Sequence, residues 1–104
     1  MAKEKMTGQA TQEQIDQWKK DNPDGVYAIE AETHVCYIKR PSRQVLSNAS
    51  ISAKGDPMKM NASILRQCWL GGSEAIRTDD RLFIPAGEAL NEILQEVRTE
   101  VKKL

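Results

Sequence analysis

The stretch "VYAIEAETHVCYIKRP", Val26–Pro41, decides the fold class. Its β-branched and aromatic residues lie on both sides of the polar step Glu32-Thr33-His34, and Pro41 stops the second arm. The pattern predicts a β-hairpin with His34 in the connecting loop. Two strands alone are marginally stable in water, so a helix or a further strand must cover the hairpin.

The register of this hairpin stays open. One face carries Tyr27 and Ile29 from the first arm. The second arm adds alternate residues to that face, and two sets fit the pattern: Cys36 and Ile38, or, after a shift by one residue, Val35 and Tyr37.

A short helix is predicted before the hairpin. Thr11 and Gln14 have the spacing of a capping box, and the turn residues Asn22–Gly25 end the helix. Ile15 and Trp18 are its only large apolar residues, and they lie three positions apart on one face. We therefore expect this helix to rest on the domain by two side chains.

Two more helices are predicted after the hairpin. Ser42 is a good N-cap for the first of them, and Gly55 is a typical stop. The step Asp56-Pro57 opens the second as cap and first residue, and apolar residues then follow helical spacing until Gly71-Gly72.

The last segment, "GEALNEILQEVRTEVKKL" at Gly87–Leu104, predicts a helix with a continuous apolar stripe. Its glutamates recur every four residues and form an acidic edge, which is either solvated or met by a basic partner. They are Glu88, Glu92, Glu96 and Glu100. The segment 76–84 before this helix is interpreted as a loop, with a third strand as the alternative.

These elements predict an α+β fold, in which a β-hairpin or small antiparallel sheet is covered by three to four helices in the order α-β-β-α-α-α. A chain of 104 residues forms one modest core. Residues 1–10 are polar and without periodicity, so they are expected to be a flexible tail before a single domain at 11–104.

Composition narrows the function classes. Fifteen Lys and Arg balance fifteen Asp and Glu, which removes the overall positive field expected of a dedicated nucleic-acid binder. A local basic patch of Lys39, Arg40 and Arg43 remains as an alternative nucleic-acid surface. No apolar run has the length of about 20 residues that crosses a bilayer, and the N-terminal residues lack the apolar centre of a signal peptide. We expect a soluble intracellular protein.

Catalytic or cofactor chemistry has little support in the sequence. Cys36 and Cys68 belong to no metal-ligating motif and are expected to be reduced, buried thiols. His34 is the only histidine and has no nucleophile or acid fixed beside it. Asp79 and Asp80 favour capping or turn formation over acid–base work. No enzyme, cofactor or metal is predicted.

Three stretches together carry a family resemblance: "YIKRPSR" from Tyr37, "KMNASILRQCWLGGSEAIRTDDRLF" from Lys59, and the amphipathic C-terminal helix. Over residues 25–104 the chain resembles small tail assembly chaperones of long-tailed bacteriophages and prophages. The pattern positions are Lys39, Arg40, Pro41, Cys68, Trp69, Leu70, Gly71, Gly72, Asp79 and Asp80.

The resemblance implies a non-enzymatic protein in the cytoplasm of the bacterial host. Such a chaperone holds the long tape-measure protein soluble and helps to recruit tail-tube subunits around it. Related systems also make a frameshifted longer form, which this sequence neither indicates nor excludes.

Two surfaces are candidates for such a role. The first is the stripe of the C-terminal helix, with Leu90, Leu94, Val97 and Val101. The second is the corner at Trp69 and Leu70, although both can equally be core residues beside a helix end. Either surface could also support self-association. Shielding of apolar helices on a partner is the expected mechanism.

Overall fold

A computed structural model describes residues 6–95 and 102–104 of the chain. In this part the helices and strands follow the order α1 (Gln12–Asp21), β1 (Val26–Ala31), β2 (His34–Lys39), α2 (Arg43–Ala53), α3 (Pro57–Cys68), β3 (Trp69–Gly72), α4 (Ala75–Thr78) and α5 (Asp80–Gln95). The strands form one antiparallel sheet in the order β1-β2-β3. The predicted α+β fold class is confirmed, with β3 and α4 as additions to the predicted order.

The hairpin adopts the first of the two registers. Ile29 lies opposite Cys36 and Tyr27 lies opposite Ile38, so these residues share the inner face of the sheet. The placement of His34 in the loop is wrong, because the turn needs only two residues and His34 already pairs with Ala31.

The strand β3 replaces the predicted end of a helix. Helix α3 stops at Cys68, Trp69 has extended backbone angles, and β3 pairs antiparallel with β2. Gly72 lies opposite Cys36, and a Cβ atom there would stand 2.5 Å from the Cys36 Cα. The glycine pair therefore lies in a strand rather than at a helix end, and its second member lets two backbones approach closely.

The interpretation of 76–84 as a loop is also wrong, since this segment holds most of α4 and the start of α5. The Asp79 side chain accepts a hydrogen bond of 3.0 Å from the Arg81 N–H at the beginning of α5. The helix continues through Pro85 and Gly87, so it begins seven residues before the predicted start at Gly87. Gly87 is buried against α3, where a Cβ atom would meet the Asn61 amide nitrogen at 2.8 Å.

The caps predicted for the first three helices are confirmed. Thr11 and Gln14 form the reciprocal capping box of α1. The Ser42 hydroxyl accepts from the Val45 N–H at 3.2 Å, and the Asp56 carboxylate accepts from the Met58 N–H at 2.9 Å. Local side-chain chemistry thus determines where α1, α2 and α3 begin.

The core lies between the inner face of the sheet and helices α2 to α5. Its most deeply buried large side chains are Ile29, Ile38, Ile64, Leu65, Ile76, Leu90, Cys36 and Cys68. Helix α1 lies on the outer face instead, where the Trp18 ring packs 5.3 Å from that of Tyr37. None of the residues of α1 is buried, and the two side chains expected to attach it, Ile15 and Trp18, are half-buried.

Residues just before α1 also bind to the sheet. The Thr7 N–H donates to the Thr33 carbonyl at 2.8 Å, and the Val35 N–H donates to the Thr7 carbonyl at 2.9 Å. The Ala10 N–H donates to the Tyr37 hydroxyl at 3.2 Å. Part of the predicted tail is therefore hydrogen-bonded to the domain, while residues 1–5 lie outside the described residues.

Candidate docking surfaces

A shallow groove lies where α3, α4 and α5 meet. Its lining consists of Ala62, Arg66, Glu74, Arg77, Thr78 and Phe83. Ala62 and Arg66 are exposed and lie one turn apart on α3, while Phe83 is half-buried and packs against the core. The groove therefore has an apolar floor and a charged rim, which holds Glu74 as well as the two arginines.

Arg77 is fixed at this rim by two contacts. Its guanidinium lies 4.1 Å from the centre of the Trp69 ring, and it forms a 2.8 Å ion pair with Glu74. Cation–π stacking of this kind favours arginine over lysine. The Trp69 side chain packs against the core and is half-buried, so it supports the groove rather than standing free as an anchor.

Leu70, the neighbour of Trp69, occupies an irregular position in β3. Tyr37 lies opposite Gly71 and Ile38 lies opposite Trp69, so Leu70 is the extra residue of a β-bulge. Its side chain is half-buried. The predicted corner at Trp69 and Leu70 is thus only partly open to a partner.

The predicted stripe of the C-terminal helix is divided by the fold. Leu90 is fully buried in the core, so its side chain belongs to no surface. Leu94 is half-buried and packs against the core, whereas Val97 and Val101 lie outside the described residues. Large apolar side chains with free surface occur elsewhere: Ile51 is 72% exposed, Met58 49% and Ile84 49%.

The predicted basic patch lies next to acidic residues. Lys39 and Arg40 line a polar depression that they share with Asp21 and Asp24. Arg43 is exposed in the first turn of α2. Because carboxylates stand beside two of these cations, the local field on a phosphate is weakened.

The chemically reactive side chains include one close pair and two buried thiols. The His34 Nδ1 lies 2.8 Å from the Ser73 hydroxyl, a pair that the sequence did not suggest because the two residues are far apart along the chain. Burial raises the pKa of the Cys36 thiol from 9.0 to about 12, and it also raises the pKa of Cys68. Both cysteines are free and buried, as predicted.

Within the part of the chain that the structure describes, no group of three or more His, Cys, Asp or Glu side chains could hold a metal ion. None of the helices in that part is both long and apolar enough to cross a membrane.

The groove was missed at the sequence level. The spacing of Ala62 and Arg66 is a signal that could have placed them on one helix face, but Arg77 and Phe83 fell in a segment interpreted as a loop. Comparison with known proteins adds no assignment, since no family model, curated protein or solved structure matches the chain.

Proposed function

We propose that this protein is a tail assembly chaperone of a long-tailed bacteriophage or prophage, acting without covalent chemistry in the cytoplasm of the bacterial host. Its client is the tape-measure protein, around which it assists recruitment of the tail-tube protein. The observation that carries the proposal is the groove of α3, α4 and α5, with its apolar floor and charged rim. The family resemblance over residues 25–104 supplies the identity of the client.

The groove suits one side of an amphipathic helix. Apolar side chains of the client would contact Phe83 and Ala62, and acidic residues beside them would pair with Arg66, since Arg77 is already paired with Glu74. Burial of one leucine-sized side chain contributes about 2 kcal/mol, so a single groove binds weakly. The family resemblance implies a chaperone that is absent from the finished particle, and weak binding fits such a role. Many copies along one long client shield it together, and each dissociates readily.

Co-expression with the tape-measure protein of the same phage tests the proposal. The soluble fraction of the client should rise strongly with the wild-type chain. Arg66→Glu should abolish most of that gain, because it reverses the charge at the groove rim on an exposed side chain. Arg43→Glu makes the same charge change on α2, away from the groove, and should leave the gain intact.

A small nucleic-acid-associated regulator using Lys39, Arg40 and Arg43 is the alternative function. It requires a gel shift that weakens steeply with salt and that Arg43→Glu reduces. No rise in client solubility with the wild-type chain, or equal loss with Arg66→Glu and Arg43→Glu, would count against the chaperone proposal.

A further inference from the structure

The outer edge of β1 carries unpaired backbone groups. In the register with β2, Tyr27, Ile29 and Ala31 direct their N–H and C=O groups toward β2, since a two-residue turn makes Ala31 and His34 a hydrogen-bonded pair. Val26, Ala28 and Glu30 therefore direct theirs outward. Among the described residues, no hydrogen bond reaches these outward groups.

The two edges of the sheet differ. At the other edge, β3 is four residues long and bulged, and Thr7 pairs with the part of β2 that β3 leaves open. Strand β1 is six residues long and has neither a bulge against β2 nor a lysine or proline. Bulges, lysines and prolines are the features by which edge strands usually avoid pairing with one another. Both Ala28 and Glu30 are exposed, so the outward groups are accessible.

We propose that two copies of the chain associate through β1, antiparallel and about a two-fold axis at Ala28. Ala28 then faces Ala28 of the second copy, and Val26 faces Glu30 of the second copy. Three hydrogen-bonded pairs exchange two bonds each, which gives about six hydrogen bonds and one continuous six-stranded sheet. This proposal concerns a different surface from the groove and does not rest on the chaperone function.

Side-chain chemistry favours a second copy as the occupant. Tyr27 of one copy lies beside Ile29 of the other on the inner face, which joins two apolar residues across the axis. On the outer face, Val26 of one copy lies between Lys39 of the same copy and Glu30 of the second copy. Lys39 and that Glu30 are two strand spacings, about 10 Å, apart. Together their side chains span that distance. Each contact occurs twice because of the symmetry.

The first experiment measures the mass of the full chain by sedimentation over about a hundredfold range of concentration, because a short edge interface gives a weak, concentration-dependent dimer. The wild type should rise toward twice the monomer mass. Ala28→Pro should stay monomeric, since proline removes the central outward N–H without removing a bond to β2. Ala28→Val keeps that N–H and should dimerise like the wild type.

The second experiment fixes the register by disulfide formation under mild oxidation. Cα atoms of a hydrogen-bonded antiparallel pair lie about 5.5 Å apart, so Ala28→Cys should give a cross-linked dimer. Glu30→Cys is the matched control, because its two copies would lie about 13 Å apart along the strands and should not cross-link. The native cysteines are buried, so they do not compete.

A wild type that stays monomeric throughout, a dimer that survives in a folded Ala28→Pro variant, or cross-linking of Glu30→Cys in preference to Ala28→Cys would each overturn the proposal. If circular dichroism shows that Ala28→Pro is unfolded, the two cysteine variants decide the matter.

Discussion

Replacement of Gly72 by alanine should cost far more stability than the same change at its neighbour Gly71. Gly72 has a φ of +120°, and its added Cβ would stand 2.5 Å from the Cys36 Cα and 2.6 Å from the Val35 carbonyl oxygen. A glycine-only backbone conformation costs about 1–3 kcal/mol for alanine, and overlap with atoms that cannot move away costs about 1–3 kcal/mol more. The sum is roughly 2–6 kcal/mol out of a total stability of about 5–15 kcal/mol.

Two control variants separate these contributions. At Gly71 the added Cβ meets only the edge of the Trp18 ring, at 3.0 Å, so a small shift of that side chain relieves the contact. Gly71→Ala should therefore cost about 1 kcal/mol or less. Gly55 has a φ of +89° with no atom within 4 Å, so Gly55→Ala reports the conformational cost alone, about 1 kcal/mol.

Urea denaturation followed by circular dichroism gives the free energy of unfolding of all three variants. Gly72→Ala should lose the most free energy of unfolding, at least about 2 kcal/mol more than Gly71→Ala. Agreement between those two variants within about 0.5 kcal/mol would refute the close approach of β3 to β2. A large loss in Gly55→Ala would instead show that backbone conformation alone accounts for the cost.

Three further predictions concern stability. The pKa of Cys36 is about 12 in the folded chain against 9.0 unfolded, so the stabilisation from its neutral thiol is fully present below pH 9 and falls by about 1.4 kcal/mol per pH unit between pH 9 and 12. Cys36→Ala should therefore flatten the pH dependence of the unfolding free energy between pH 9 and 12. The same slope in the wild type and the variant would contradict this. Asp79→Ala should lower the unfolding free energy by about 1 kcal/mol through loss of the α5 cap, and Asp80→Ala, without that bond, by only about 0.3 kcal/mol, both measured by urea denaturation. Trp18→Ala should cost about 2 kcal/mol and speed hydrogen exchange throughout α1, whereas unchanged exchange there would mean that Trp18 does not hold this helix on the sheet.

The elements that were predicted correctly have local signals. Capping side chains stand next to the helices they begin, as at Thr11, Ser42 and Asp56. The hairpin is likewise defined by residues close together in sequence. Its register was open because both faces of β2 carry apolar residues, and only packing against the helices selects Cys36 and Ile38 for the core.

The errors have a common physical cause. Gly71 and Gly72 have no strand propensity, and β3 exists because residues more than thirty positions earlier provide a backbone to pair with. Pro85 and Gly87 are usual helix breakers, yet α5 continues through them because tertiary packing outweighs local preference. The groove depends on the second of these errors, since it forms only when α4 and the start of α5 are helical beside α3.

The pairing of Thr7 with β2 has a practical consequence for any shortened form of the chain. Starting expression at Thr11 would delete the carbonyl that accepts the Val35 N–H and leave that donor facing water. The part of the β2 edge that β3 does not cover would then be exposed and unpaired. A chain that starts at the first helix should aggregate more readily than the full chain, although none of the described residues before Thr11 belongs to the core.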